Sequence, residues 1–259
     1  MSVNRLLEKL RAGKVVLGLG NTYPAPGIIE CMCKGWDFVW IDTQHGTMDY
    51  LNAVHACRAA EGRGLDTLLR VPGHEPGALG KFADLGPSAI MVPMVNSAEQ
   101  AQGLVSALRF PPLGERSYGG RRVVDLYGRD YYAKQEMLLV VQIETVEACR
   151  QAPDIIATEG VDCLFFSPDD MRLRMDLPMN TPIVENEELR DAMAGVARAA
   201  TEAGKFCGCV ATDKETLTVA IEQGYRLIAG GGDAGFLRTM AAQRLVELRN
   251  VIERRAENG

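Results

Sequence analysis

The chain has 259 residues, and its 28 Lys and Arg against 34 Asp and Glu leave a formal net charge of −6. This mild acidity excludes the basic stripe of a nucleic-acid binder. Hydrophobic residues at 47% and charged residues at 24% are the balance of an ordinary soluble protein. The longest clean apolar run, Ala89 to Val95, has seven residues, far short of the ~18 that argue for a membrane span.

The N-terminal stretch MSVNRLLEKLRAGK interleaves charges with leucines and predicts a short helix, not a signal peptide. Eight β-rich segments follow: Lys14–Gly20, Asp37–Thr43, Asp66–Pro72, Ala89–Val95, Met137–Glu144, Cys163–Ser167, Phe206–Ala211 and Tyr225–Gly230. Most are nearly continuous apolar runs such as LLVVQI and CLFF, as expected of parallel strands covered on both faces. Helical stretches separate them. Ser97-Ala-Glu-Gln100 has capping-box form with Leu104 and Leu108 on one face. Asp213 is placed to cap a helix that Gly224 would end.

Eight strands alternating with helices, without a low-complexity linker, predict one (β/α)₈ barrel domain over residues 1–259. A doubly wound sheet would want GxGxxG after its first strand, and Gly18-Leu-Gly20-Asn-Thr-Tyr lacks the third glycine. Two long intervals, Arg109–Arg122 and Ser167–Pro182, are expected after strand C-termini, where a barrel keeps its active site. The seven cysteines form no CxxC pair and read as reduced core residues, so a reducing compartment, the cytoplasm, is expected.

Polar residues gather where the apolar strands run out: Asp42 and His45 in WIDTQHG, Arg70 in LLRVPG, Gln142 and Glu144 in VVQIET, and Ser167, Asp169 and Asp170 in FFSPDD. Gln142 and Glu144 lie two apart in a strand and so share a face. A carboxylate there needs a hydrogen bond, an ion pair or a metal. Asp169 or Asp170 on the adjacent strand offers a second hard oxygen, which favours Mg²⁺ or Mn²⁺ over a structural zinc. If the extended conformation continues that far, the two aspartates should point differently. Of the three histidines, His55 falls inside a helix and His74 follows a turn as a solvated residue. His45 stands at a strand's C-terminal end, where it could act as a base. Arg70 could neutralise a buried acid or hold a substrate carboxylate or oxyanion. Gly230-Gly-Gly-Asp233 reads as a tight strand-to-helix turn with Asp233 as N-cap, in preference to a phosphate site.

At these residues the sequence resembles the HpcH/HpaI family of class II, metal-dependent 2-keto acid aldolases. The segments that carry the likeness are GWDFVWIDTQHG, LLRVPG, LGPSAIMVPMVNSAEQAQ, RFPPLGERSYG, VVQIET and EGVDCLFFSPDD. By matching position, the resemblance implies a divalent ion, Mg²⁺, Mn²⁺ or alternatively Co²⁺, on Glu144 and Asp170. It implies that Gln142 and the backbone around Asp169 and Asp170 touch the keto acid. His45 would be the base and Arg70 would stabilise the enolate. The family's carboxylate partner of that histidine matches Asp84, which precedes the fourth strand and would more easily serve a neighbouring subunit in a homo-oligomer, a hexamer in the family. Asp42 is the local competitor for that role. The chain departs from the family at Gln44, at Ser167-Pro-Asp-Asp-Met-Arg172 and at Ser117-Tyr118, which bears on the fit around the substrate.

The expected function is therefore a carbon–carbon lyase that joins or releases a pyruvate-type 2-keto acid and an aldehyde, with no nucleic-acid or membrane partner. An oxaloacetate-type decarboxylase or CoA-thioester lyase using the same enolate is the alternative. A non-catalytic keto-acid-binding barrel and a phosphosugar isomerase using the triple glycine are readings from other classes.

Overall fold

A computed structural model describes residues 4–134 and 136–257. Eight strands pair side by side in chain order, all parallel: β1 (Val16–Asn21), β2 (Phe38–Asp42), β3 (Asp66–Arg70), β4 (Ala89–Val92), β5 (Leu138–Ile143), β6 (Cys163–Phe166), β7 (Phe206–Val210) and β8 (Leu227–Gly232). β8 pairs with β1 and closes the barrel. The helices are α1 (Arg5–Arg11), α2 (Pro26–Met32), α3 (Tyr50–Gly62), α4 (Pro76–Ala83), α5 (Ala98–Leu108), α6 (Arg121–Tyr127), α7 (Val146–Ala157), α8 (Pro168–Arg174), α9 (Glu187–Glu202), α10 (Lys214–Gln223) and α11 (Asp233–Glu257). The expected (β/α)₈ barrel is the observed fold. No helix among the described residues is long and apolar enough to cross a membrane.

The apolar runs become strands because both of their faces are buried. Successive side chains alternate in direction. Phe38, Trp40, Leu68, Met91, Val140 and Phe165 therefore pack into one cluster inside the barrel. Their neighbours Val39, Ile41, Leu69, Ile90, Val141 and Leu164 join the layer shared with the helices. Phe165 takes the space a side chain on β7 would need: a Cβ on Gly208 would lie 2.7 Å from its ring and 2.6 Å from the Leu227 carbonyl oxygen. The expected N-terminal helix forms as α1; Met1–Val3 fall outside the described residues. Asn4 caps α1 by accepting from the Leu7 N–H, and Leu6, Leu7 and Leu10 join the interior cluster.

This alternation also sets the mouth. Two residues on from the interior apolar positions come Asp42, Arg70, Gln142 and Ser167, all buried, and the pairing places Asp42 opposite Arg70. β4 stops earlier than expected because Pro93 brings no N–H to a ladder and Met94 turns to a positive φ of 55°.

Two further expectations change. Arg109–Arg122 does not follow a strand. It comes after α5, and Arg109 donates to the carbonyls of Met137 and Gly160 and to Asp162, at the start of β5 and β6. α5 takes up the C-terminal side of β4 and leaves this segment to lead back to β5. The triple glycine is not a turn but the last residues of β8. Its neighbour Asp233 is fully buried and accepts hydrogen bonds from Asn21 Nδ2, Thr22 N, Thr22 Oγ1, Tyr23 N and Ala234 N, bracing the end of β1. A satisfied carboxylate there opposes a bound phosphate. All seven cysteines are free, and burial pushes the Cys57 and Cys207 thiols up to about 12.

Candidate active site

Asp42 and Arg70 form the structural base of the mouth. Arg70 donates through Nε to Asp42 Oδ1 at 2.9 Å and through Nη2 to Oδ2 at 2.6 Å, and its guanidinium stacks 4.7 Å over the Trp40 ring. Burial alone would raise the Asp42 carboxyl, but the Arg70 contact and the backbone N–H groups of His45 and Gln44 outweigh it and hold it below the ordinary carboxylate value. Those two N–H groups donate to Asp42 Oδ1 at 3.2 and 3.0 Å, so Asp42 fixes the turn that presents His45. Gly46 completes that turn. A Cβ there would stand 2.1 Å from the Asp42 carbonyl oxygen. Asp42 thus spends its oxygens on Arg70 and on backbone, not on the imidazole. The Arg70 Nη1 forms no hydrogen bond among the described residues.

Glu144 follows directly on β5 and is 2% exposed. Its Oε2 accepts from the Met94 N–H at 2.6 Å. That N–H is aimed by the positive φ of Met94, and the loop is held from behind where His74 Nε2 donates to the Pro93 carbonyl at 2.6 Å. His74 is therefore half-buried and bonded, not solvated as expected; His55 is exposed on α3. Burial is the main force on the Glu144 carboxyl. The nearby Asp170, within hydrogen-bonding reach, adds to it; the Met94 N–H and Arg70 oppose it. The net result lifts Glu144 up to about 7.

Asp169 and Asp170 do point differently, but for another reason than the one expected. The extended backbone ends at Phe166, and Pro168 opens α8 with Ser167 as N-cap. Adjacent helical residues are about 100° apart around the axis. Asp170 turns in toward Glu144, while Asp169 turns out, 73% exposed, and accepts from Arg172 Nη1 at 2.7 Å. Gln142 donates through Nε2 to Ser167 Oγ at 2.6 Å, and its buried Oε1 has no partner.

A cavity of about 330 Å³ opens on this group, lined by Trp40, His45, Arg70, Gln142, Ser167 and Asp170 among others. Asp169 is on its rim, and Glu144 stands beside Asp170. Asp84 is not brought to His45. It caps the C-terminus of α4, accepts from Arg116 Nη2 at 2.7 Å and lines a separate cavity of about 570 Å³. The sequence pointed to Arg172 only as a departure bearing on the substrate's fit, and it did not point to Trp40, Met94 and Asp213 as parts of the site. Of those three, only Trp40 carried a readable signal, its position two residues before Asp42 on the same strand face.

Among the described residues no three His, Cys, Asp or Glu side chains cluster as metal ligands. The donor set is the Glu144–Asp170 pair of hard oxygens. Two carboxylates without nitrogen or sulfur suit a cation that keeps most of its waters and shares the rest of its shell with substrate, as Mg²⁺ does. These residues fit such an ion.

A family model for HpcH/HpaI aldolase/citrate lyase matches residues 25–239. The 4-hydroxy-2-oxovalerate aldolase of Novosphingobium aromaticivorans is 34% identical over 238 residues, 90% of this chain and 89% of that protein. A hydroxypyruvate/pyruvate aldolase of Rhizorhabdus wittichii is 32% identical over 218 residues, 83% of this chain and 86% of that protein. The crystal structure of an HpcH/HpaI aldolase/citrate lyase family protein from Burkholderia cenocepacia superposes with a TM-score of 0.86 at 29% identity, covering 95% of this chain and 100% of the other. The chain belongs to the HpcH/HpaI aldolase/citrate lyase family, and the expectation of a carbon–carbon lyase is borne out.

Proposed function

We propose that the chain makes and breaks the bond between C3 of a pyruvate-type 2-keto acid and the carbonyl carbon of an aldehyde. The observation that carries this reading is the pairing of buried Glu144 with half-buried Asp170 beside a cavity that also holds His45 and Arg70. The pair would hold a divalent cation, Mg²⁺ or Mn²⁺, which when bound supplies Lewis-acid polarisation of a keto acid's oxygens. Gln142 and the backbone of Asp169 and Asp170 orient that keto acid. His45 takes a proton from C3, the C–H electron pair becomes the C2–C3 double bond, and the keto oxygen gains negative charge. Arg70 offsets that charge through Nη1, its other nitrogens staying on Asp42. C3 then bonds to the aldehyde carbon, whose oxygen takes up a proton; cleavage runs the same steps backwards. Among the described residues no lysine lines the cavity to form a Schiff base.

Because Asp42 is committed to Arg70, the carboxylate that orients His45 is assigned to Asp84 of a neighbouring copy in a homo-oligomer. Free thiols, five of them buried, support a reducing, cytoplasmic setting. The test is deuterium exchange at C3 of pyruvate in D₂O with added Mn²⁺. Exchange should vanish with a chelator, and His45→Ala should lower its rate by about 10²–10⁴-fold. Undiminished exchange in excess chelator after dialysis, or a His45→Ala rate within about twofold of wild type, would contradict the proposal.

A further inference from the structure

Beyond the residues assigned to the keto acid, the cavity is closed by α8 and by the segment between β7 and α10. A second cavity of about 580 Å³ lies outside it, and the two share Asp169, Arg172, Thr212, Asp213 and Thr216. An acceptor aldehyde must use this shared wall, since the inner end is taken by Arg70, Gln142 and the two carboxylates.

The wall is polar and held in place from within. Arg172 is 11% exposed; its Nη1 donates to Asp169 Oδ1 at 2.7 Å and its Nε to the Thr181 carbonyl at 2.8 Å. Its Nη2 remains without a partner in the described chain. Asp213 accepts from Thr216 N at 2.7 Å and from Thr216 Oγ1 at 2.8 Å, with lone pairs to spare. Although burial would raise the Asp213 carboxyl, its bonds from Thr216, its contact with Glu215 and the field of Arg172 hold it below its ordinary value. Thr212 adds an exposed hydroxyl. Toward the floor, Trp40 buries its indole Nε1 without a partner.

Donors and acceptors therefore lie side by side along the wall. Its charge is negative: Asp169 and Asp213, with Glu185 and Glu215 in the outer cavity, against one guanidinium already paired. An apolar tail would strand these groups unpaired. A carboxylate-bearing tail would meet four acids. Hydroxyls, which both donate and accept, match it.

We infer that the site selects an uncharged, hydroxylated aldehyde as acceptor, with Arg172 and Asp213 as the residues that determine this specificity. The inference rests on the aldolase reading above. It is tested with the full chain, Mn²⁺, pyruvate and three aldehydes: glyceraldehyde, propanal and succinic semialdehyde. For glyceraldehyde, kcat/KM should exceed that for either of the others by at least about tenfold, because a site that hydrogen-bonds a hydroxyl rejects the analogue lacking it. Asp213→Asn keeps a side chain able to cap α10 and should narrow the gap to succinic semialdehyde several-fold. Arg172→Met should narrow the gap to propanal. Equal kcat/KM for glyceraldehyde and propanal, or a preference for succinic semialdehyde, would overturn the inference while pyruvate C3 exchange still upheld the aldolase. Absence of both exchange and product with all three aldehydes would overturn the aldolase reading, and the inference with it.

Discussion

Two buried carboxylates close strands of this barrel, and their surroundings are opposite. Asp233, after β8, is completely enclosed and accepts from five donor groups on β1, its loop and α11. Glu144, after β5, is 2% exposed, accepts a single N–H from Met94 and faces Asp170, a second acid. Burial of an ion is costly in both places. At Asp233 the chain offsets that cost itself, and the result is a brace. At Glu144 the cost stands, the carboxyl rises to about 7, and the partner proposed above for it is a divalent cation. What distinguishes structure from function here is how many of the acid's lone pairs the chain satisfies, not how deeply the acid is buried.

The sharpest way to break this comparison is at Asp170 against its neighbour. Asp170→Asn should weaken Mn²⁺ binding by more than about a hundredfold, since it removes half of the charged donor set. Asp169→Asn, which loses only an exposed contact with Arg172, should bind Mn²⁺ nearly as wild type. The reverse order in calorimetric titration would invert the assignment. On the brace side, Asp233→Ala strands several donors and should cost about 3 kcal/mol in urea unfolding. Its Mn²⁺ affinity should stay unchanged. A fully stable Asp233→Ala protein would remove the contrast.

The smallest effect is on pH dependence. With Glu144 raised from its ordinary value of 4.5 to about 7, the metal-free folded chain keeps a proton that the unfolded chain has already released. Between those two values the folded state binds more protons, so the stability of the metal-free protein should fall as pH rises through this window and level off above it. Metal binding should run the other way and weaken by about tenfold per unit as pH drops below 7. Glu144→Gln should flatten the stability trend, and a wild-type Mn²⁺ affinity independent of pH between 5 and 7 would argue against a titrating ligand.

The barrel was legible because its strands are buried on both faces and so appear as apolar runs, and β2, β3, β5 and β6 are the ones that run into polar residues at the mouth. His45, Arg70, Gln142, Glu144 and Asp170 could be found for that reason. The different directions of Asp169 and Asp170 were also expected, but from strand alternation, whereas Pro168 starts a helix and its turn separates them. Met94 was not legible. Methionine gives no sign of a positive φ, and its contribution is a backbone N–H. The role of Asp233 was hidden as well, because its donors Asn21, Thr22 and Tyr23 lie at the far end of the chain and meet it only when β8 closes on β1. Arg172 and Asp213 share a wall only through the packing of α8 beside the end of β7.

The central claim, that Glu144 is an incomplete acid awaiting a cation while Asp233 is a complete one, is tested most directly by titrating Mn²⁺ into Glu144→Gln and Asp233→Asn side by side. The account predicts that Glu144→Gln loses Mn²⁺ binding and that Asp233→Asn, though less stable, retains a full site. Wild-type Mn²⁺ affinity in Glu144→Gln would contradict it.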